Sequence, residues 1–441
     1  MTVGCVSLGC AKNQVNSEQM LFLLDQAGYE ITTRVENVDV VIVNTCGFIE
    51  SAKSEAITEI LELATLKSEG KIGSILVTGC LAQRYQDELL AELPEVDGIV
   101  GCGSYNDIVI AVDQVTGGAR PRLLGDIDAP LEEMGRVLTT PDYWAYLRIA
   151  EGCDNRCAFC VIPQIRGRYR SRRMEDILQE ARDLADEGVR ELIVIAQDTS
   201  RYGRDLYGSL KLPELLTELC KIDGFRWIRV HYMYPDEITD ELLEVFARED
   251  KLVKYFDIPI QHCNDRILKA MHRRGTKAQL DQLLTRIRQV VPGAVIRTSL
   301  IAGLPGEDED AFEELCEFLK RHKMERVGCF TFSPEEGTEA AAMDYPDPEV
   351  AQRRAEMINE LQSRIMDEDN ERKLGKVFTV LCEGYDRYAE VHYGRTYADS
   401  PEIDGKVFFR SDTRIPAGTF VDVAMEDVID GDLLGTAVTK E

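Results

Sequence analysis

The sequence predicts a three-domain α/β protein: a parallel-sheet α/β domain first, then a partial β/α barrel of six strand-helix units, then a small antiparallel β-barrel. Three observations predict it. A chain of 441 residues with 44% hydrophobic residues has the length of about three domains and enough apolar side chains to fill them. Short apolar runs alternate with helical periodicity over most of the chain, the pattern of parallel strands covered by helices. Beyond residue 373 the pattern changes to brief strand-like runs separated by turn residues.

In the first domain, expected over residues 1–120, the runs 3–8, 38–43 and 72–77 read as buried strands with amphipathic stretches between them. Pro121, Gly125, Pro130, Gly135 and Pro141 then punctuate residues 119–141, which reads as an interdomain linker. The barrel, expected over 139–370, has strand-like runs at 145–149, 191–196, 227–231, 255–258, 294–300 and 326–332, and its active site belongs at the carboxyl ends of those strands. A helix is predicted over 348–374, with Val350, Met357, Leu361 and Ile365 on one face and Gly375 as its stop. The last domain, 373–441, offers five short strands at 376–381, 390–396, 406–409, 419–424 and 434–438.

No basic stretch precedes an apolar core at the start, and no apolar run approaches the roughly 18 residues of a membrane helix, so a cytoplasmic protein without a membrane partner is expected. The 13 cysteines are too sparse for a disulfide scaffold, and their odd number favours thiols that bind metal or react. A formal net charge of -28, from 79 acidic and 51 basic residues, repels phosphate backbones and attracts cationic surfaces; solubility alone would also account for it.

Cys153, Cys157 and Cys160, in Glu151-Gly-Cys-Asp-Asn-Arg-Cys-Ala-Phe-Cys, stand just past the first barrel strand with the spacing C-x-x-x-C-x-x-C. Three thiolates hold three irons of a cubane cluster and leave the fourth open to a ligand. A zinc site completed from a distance and incidental buried cysteines are the alternatives. Cys10, Cys46 and Cys80 follow three predicted strands of the first domain; parallel strands end on one edge, so these sulfurs can converge although 36 and 34 residues separate them, with separate buried cysteines as the alternative. Cys5, Cys102, Cys220, Cys263, Cys316, Cys329 and Cys382 read as packing residues. Arg166, Arg168, Arg170, Arg172 and Arg173 form a basic run past the cluster loop, suited to a carboxylate of a cofactor or substrate, or to a solvated loop and helix start. Gln197-Asp198, Gln261-His262 and Ser333-Pro334 lie where a barrel places its site.

The three-cysteine spacing, with aromatic Phe159 before the last cysteine and a six-unit barrel behind it, resembles the radical S-adenosylmethionine (SAM) superfamily. The resemblance implies a four-iron cluster whose open iron chelates SAM and whose electron cleaves it to a deoxyadenosyl radical. Phe159, Gln197 and the turn Gly303-Leu-Pro-Gly-Glu307, with Gly303, Pro305, Gly306 and Glu307, are the cofactor contacts expected on this basis. No catalytic side chain is singled out. Ser7-Leu-Gly-Cys-Ala-Lys-Asn13, Asn44-Thr-Cys-Gly-Phe48 and Val77-Thr-Gly-Cys80 are similar to the amino-terminal signatures of the methylthiotransferases, and that resemblance spans essentially the whole chain. It implies a second four-iron cluster on Cys10, Cys46 and Cys80, a terminal TRAM barrel, two SAM molecules per turnover, and transfer of a methylthio group to an unactivated carbon.

The family has a transfer-RNA branch, acting on an adenosine, and a ribosomal-protein branch, acting on the β-carbon of an aspartate in small-subunit ribosomal protein twelve. Asn44-Thr-Cys-Gly-Phe-Ile49, Gln197-Asp-Thr-Ser-Arg-Tyr-Gly203 and Ala398-Asp-Ser-Pro-Glu-Ile-Asp-Gly405 resemble the second. From Lys373 onward the chain has 8 basic and 13 acidic residues, whereas an RNA-binding barrel presents a basic face with aromatic platforms. The expected partners are therefore that ribosomal protein, or the ribosome, and a reducing flavodoxin or ferredoxin. An RNA-binding protein with structural clusters is the rival of a different class.

Overall fold

The structure, a computed structural model, describes residues 1–438; the last three residues of the predicted 373–441 domain lie outside the described residues. The first domain is a six-stranded sheet, all parallel, in the order β2-β1-β3-β4-β5-β6. Its strands are β1 (Thr2–Ser7), β2 (Glu30–Thr32), β3 (Val38–Thr45), β4 (Ile72–Gly79), β5 (Gly98–Gly103) and β6 (Arg122–Gly125). Alternate residues of the central strands feed opposite faces. Val41, Val43, Ile75 and Val77 meet Ala56, Ile60 and Leu63 of helix α2 (Glu50–Ser68) on one side. Val40, Ile42 and Leu76 meet Met20 and Leu24 of α1 (Ala11–Gln26) and Ala111 and Val115 of α4 (Ile108–Thr116) on the other, while α3 (Cys80–Glu92) follows β4. Three strands of this sheet were not predicted. The strand β6 pairs with β5 inside the stretch read as linker, so the sheet runs to Gly125, beyond residue 120.

The central domain is an open sheet of six parallel strands curved into a partial barrel, β7 (Trp144–Arg148), β10 (Glu191–Ile195), β11 (Trp227–Val230), β12 (Leu252–Asp257), β13 (Val295–Ala302) and β14 (Arg326–Thr331). Two short antiparallel strands, β8 (Ala150–Glu151) and β9 (Arg170–Ser171), clamp the two ends of the cysteine-bearing loop between them. The outer face packs beneath helices in one large core that includes Leu147, Val194, Ile228, Phe256 and Leu315. The concave face is covered by the other two domains: Trp144, Tyr146, Ile195, Trp227 and Tyr255 pack with Ala11 and Val15 of α1 and with Leu381, Ala398 and Phe420 of the last domain.

The helix Pro348–Glu371 leads to the last domain, with proline in its first turn and the Asp347 side chain accepting from Glu349 N at 2.8 Å. Its buried face overlaps the predicted one at Ile365, and Leu361 packs against the core, but Met357 does not belong to it. Ala351, Arg354, Ala355, Ile358, Gln362 and Ile365 face inward while Met357 is 55% exposed. Arg354 donates to Glu307 and Gln362 Nε2 to the Met324 carbonyl, while Gln362 Oε1 is buried without a hydrogen-bond partner; apolar periodicity registers neither residue.

Strands β15 (Val377–Asp386), β16 (Val391–Arg395), β17 (Val407–Arg410), β18 (Phe420–Ile429) and β19 (Asp432–Ala437) close into a barrel in the order β15-β16-β17-β19-β18. Its pairs are antiparallel except β17–β19, which is parallel. The predicted small antiparallel barrel is thus present with one parallel pair, because a ring with an odd number of strands cannot alternate direction all the way round. No helix among the described residues is long and apolar enough to cross a membrane.

Candidate active site

Cys10, Cys46 and Cys80 leave the carboxyl ends of β1, β3 and β4, three strands adjacent in the sheet, and so emerge on one edge at successive strand spacings of about 4.8 Å. Gly9 makes the approach possible: at φ +89° it has no Cβ, and one placed there would stand 2.7 Å from Cys46 Cβ and 3.2 Å from its Sγ. Buried amides hold the loops in register. Asn13 Nδ2 donates to the Thr45 carbonyl at 2.8 Å, and Asn44 Nδ2 donates to the Asn13 carbonyl at 2.7 Å. Burial, then Cys80 and Cys10 nearby, push the Cys46 thiol up to about 12.

In the barrel loop, Cys153 N donates to the Gly167 carbonyl at 3.1 Å, Cys160 N to the Cys157 carbonyl at 3.0 Å, and Ala158 N to the Met271 carbonyl at 3.1 Å. Burial, then Asp198 and Cys157, push Cys153 up to about 12; burial, then Cys157 and Cys153, raise Cys160 as well. Arg273 approaches Cys157 Sγ at 3.7 Å. All six thiols are free. No group of three or more His, Cys, Asp or Glu among the described residues is gathered closely enough to hold one metal ion. A cluster asks for something different, one thiolate per iron, and iron supplies the positive charge that makes buried thiols ionise. Two sets of three thiols, each set on a rigid backbone and with no disulfide partner, fit that demand.

The two sets share one junction. Cys80 packs in a small apolar group with Phe48, Val161 and Ile165, the last in α5 (Ile162–Arg166) directly after Cys160. Arg166, 2% exposed, donates to Cys80 Sγ at 3.5 Å, to Asn13 Oδ1 at 2.5 Å and to both oxygens of Glu151 at 3.0 and 3.1 Å. Glu151 also receives Arg148 at 2.9 Å and Gln197 Nε2 at 2.6 Å. Burial would raise this carboxyl, but Arg166 and then Arg148 hold it at about 2, so it stays ionised. A hydrogen bond from Cys102, reinforced by Arg166 against the opposing effect of burial, lowers Cys80 to about 6. Cys102 packs against the same small group as Cys80.

The other predicted residues fall as follows. Phe159 packs partly buried against the group containing Ile267, Met271 and Leu304, behind the cysteine loop. Gln197 reaches Glu151 and leaves its buried Oε1 without a hydrogen-bond partner, while Asp198 accepts from Asn155 in the same loop at 2.8 Å. Gly303, Pro305 and Gly306 form the turn after β13; Glu307 is turned inward, accepting from Gly303 N at 3.1 Å and from Arg354 at 2.9 Å, so it ties the turn to the helix Pro348–Glu371. The basic run divides. Arg166 and Arg172 are buried and already taken by Glu151 and by Glu133 and Glu180, which corrects the reading of the whole run as a free anion site, while Arg173 is solvated. Glu151 escaped sequence reasoning; its place directly before Gly152-Cys153 was the only signal.

Three family profiles match the chain in sequence: uncharacterized protein family UPF0004 over residues 2–101, the Radical SAM superfamily over 147–319 and the TRAM domain over 374–438. Among solved structures, the radical S-adenosylmethionine methyltransferase TsrM from Kitasatospora setae, with cobalamin and a [4Fe-4S] cluster bound, superposes with a TM-score of 0.54 at 13% identity, covering 77% of this chain and 76% of that one. The cobalamin-dependent radical enzyme OxsB, with S-adenosylmethionine bound, gives 0.50 at 14% identity over 82% of this chain and 56% of that chain. These likenesses are of fold. With the matched profile and the three-cysteine loop they define the class: a radical SAM enzyme. Two curated relatives are full-length and much nearer. Both are named ribosomal protein uS12 methylthiotransferase RimO: that of Pelotomaculum thermopropionicum is 49% identical, covering 99% of each chain, and that of a Thermoanaerobacter species 46%, covering 98% of this chain and 99% of its own. The chain belongs to the ribosomal protein uS12 methylthiotransferase family.

Proposed function

We propose that this enzyme transfers a methylthio group to the β-carbon of an aspartate in ribosomal protein uS12, using SAM and two four-iron clusters, one on Cys153, Cys157 and Cys160 and one on Cys10, Cys46 and Cys80. The observation that carries the reading is the junction at which Arg166 joins the Cys80 thiol to the Glu151 carboxylate beside the Cys153 loop. When bound, the clusters and SAM supply an electron, a hydrogen-abstracting radical and the methylthio group. A radical formed at one site has to be quenched by a group held within contact of it, so two thiol sets facing one junction serve the reaction.

The chain's own residues bind, orient and exclude water. Phe159 backs the cysteine loop, Gln197 presents an amide oxygen free of protein partners, and the Gly303, Pro305 and Gly306 turn lets backbone come close to the cofactor. Glu307 fixes that turn through Arg354. The charge of -28 and the acidic terminal barrel suit a basic ribosomal protein. A reduced flavodoxin or ferredoxin in the cytoplasm is the proposed electron source. The test is anaerobic reconstitution with SAM and reductant, offering uS12 and unmodified transfer RNA separately. Mass spectrometry should find a methylthio group in place of hydrogen on an aspartate of uS12; the same gain on adenosine alone refutes the assignment.

A further inference from the structure

The buried cations of this protein are nearly all matched by carboxylates: Arg148, Arg166, Arg172, Arg229, Arg326, Arg354 and Arg395 each have one. Lys12 does not. It is 8% exposed, in the first turn of α1, two residues after Cys10, and no carboxylate among the described residues lies within ion-pair distance of it. Its ammonium instead sits 3.3 Å from the centroid of the Tyr232 ring. No carboxylate among the described residues answers this ammonium; Tyr232 and Cys10 are the groups that favour its charge, and it can still take a carboxylate from a ligand.

Two further features point to the same place. Tyr232, just past the carboxyl end of β11, has φ +61°, a left-handed backbone that a bulky residue adopts only when its surroundings impose it. The first turn of α1 carries no acidic residue and its N-cap, Cys10, caps no backbone N–H, so the positive end of that helix is also unanswered. Tyr146, on the concave face, belongs to the same packed group as Tyr232.

We propose that Lys12, beside Tyr232, binds the side-chain carboxylate of the substrate aspartate and so selects that residue. This rests on the uS12 reading above and supplies the residue that orients the target. The chemistry is direct: in aspartate the carboxylate is bonded to the β-carbon, so an ion pair at Lys12 fixes the carbon that must lose its hydrogen and receive sulfur. An adenine base offers no such anion.

The test measures affinity of the reconstituted holoenzyme for immobilised uS12 and for uS12 carrying Asp→Asn at the modified position, alongside transfer by mass spectrometry. The wild-type enzyme should bind the aspartate form at least tenfold more tightly. Lys12→Met, with iron content checked, should bind both forms within twofold of each other; Lys12→Arg should keep the preference and lose turnover. If Lys12→Met does not fold, the wild-type ratio and Lys12→Arg still decide. A wild-type enzyme indifferent to Asp→Asn, or a Lys12→Met variant or a Lys12→Arg variant behaving otherwise, overturns the assignment while transfer to uS12 by wild type stands. Absence of that transfer overturns both readings.

Discussion

Acidification should loosen the floor of the central barrel through His231. This imidazole is 1% exposed at the end of β11, and its Nε2 lies 3.0 Å from Ser400 Oγ in the segment that the last domain inserts. Burial, followed by Arg229, Arg297 and Lys12 against the opposing charge of Asp257, pushes it down to about 3 from an ordinary 6.5. A depressed pKa means that the unfolded chain binds the proton first. The contribution is therefore complete above pH 6.5 and is lost as pH falls toward 3. At 1.36 kcal/mol per unit the loss is about 2 kcal/mol at pH 5 and about 5 kcal/mol below pH 3. The two tryptophans of the chain, Trp144 and Trp227, both line this concave face, so their fluorescence reports on it. Urea unfolding of wild type and His231→Gln at pH 7.5 and 5.0 should show the wild type losing about 2 kcal/mol more than the variant over that interval. Parallel pH profiles for the two proteins would refute the reasoning.

Other outcomes follow from the site. Replacing Glu151 by Gln strands Arg166 and Arg148 in a buried position and should cost about 3–5 kcal/mol in denaturant unfolding, with loss of bound iron. Cys153→Ala should abolish deoxyadenosine formation while keeping about half the iron, whereas Cys46→Ala should keep deoxyadenosine formation, also keep about half the iron, and lose methylthio transfer. Gly303→Val places a Cβ 2.4 Å from Ala351 Cβ at a backbone φ of +82° and should destabilise by about 1–3 kcal/mol or more, read as a lowered melting temperature.

The parallel strands were legible where both faces are buried, because β3 and β4 then read as continuous apolar runs flanked by amphipathic helices. The cysteines were legible because each follows such a strand. β5 and β6 escaped for local reasons: Gly98-Ile-Val-Gly-Cys-Gly103 is half glycine, and Arg122–Gly125 sits beside Pro121 in a stretch that reads as linker. Burial of polar residues was the larger blind spot. Asp399 and Ser400 look like a surface turn yet are almost wholly inaccessible, held by Arg326 and His231, and Arg166 read as one of five arginines suited to an external carboxylate or to solvent. Such residues are set by partners as far as 169 positions away, which no local period encodes.

The bond from Arg166 to Cys80 spans 86 positions of chain. At 5–20 residues per second, synthesis leaves Cys80 without that guanidinium for about 4–17 s, during which the first domain can already have formed its sheet. On the proposed two-cluster reading, the amino-terminal thiols thus pass through a period in which their side of the junction is open to the cell's iron and sulfur donors, and the arrival of the barrel closes it. Order of emergence from the ribosome sets an order of access, with the carboxyl-proximal triad the later of the two to be completed.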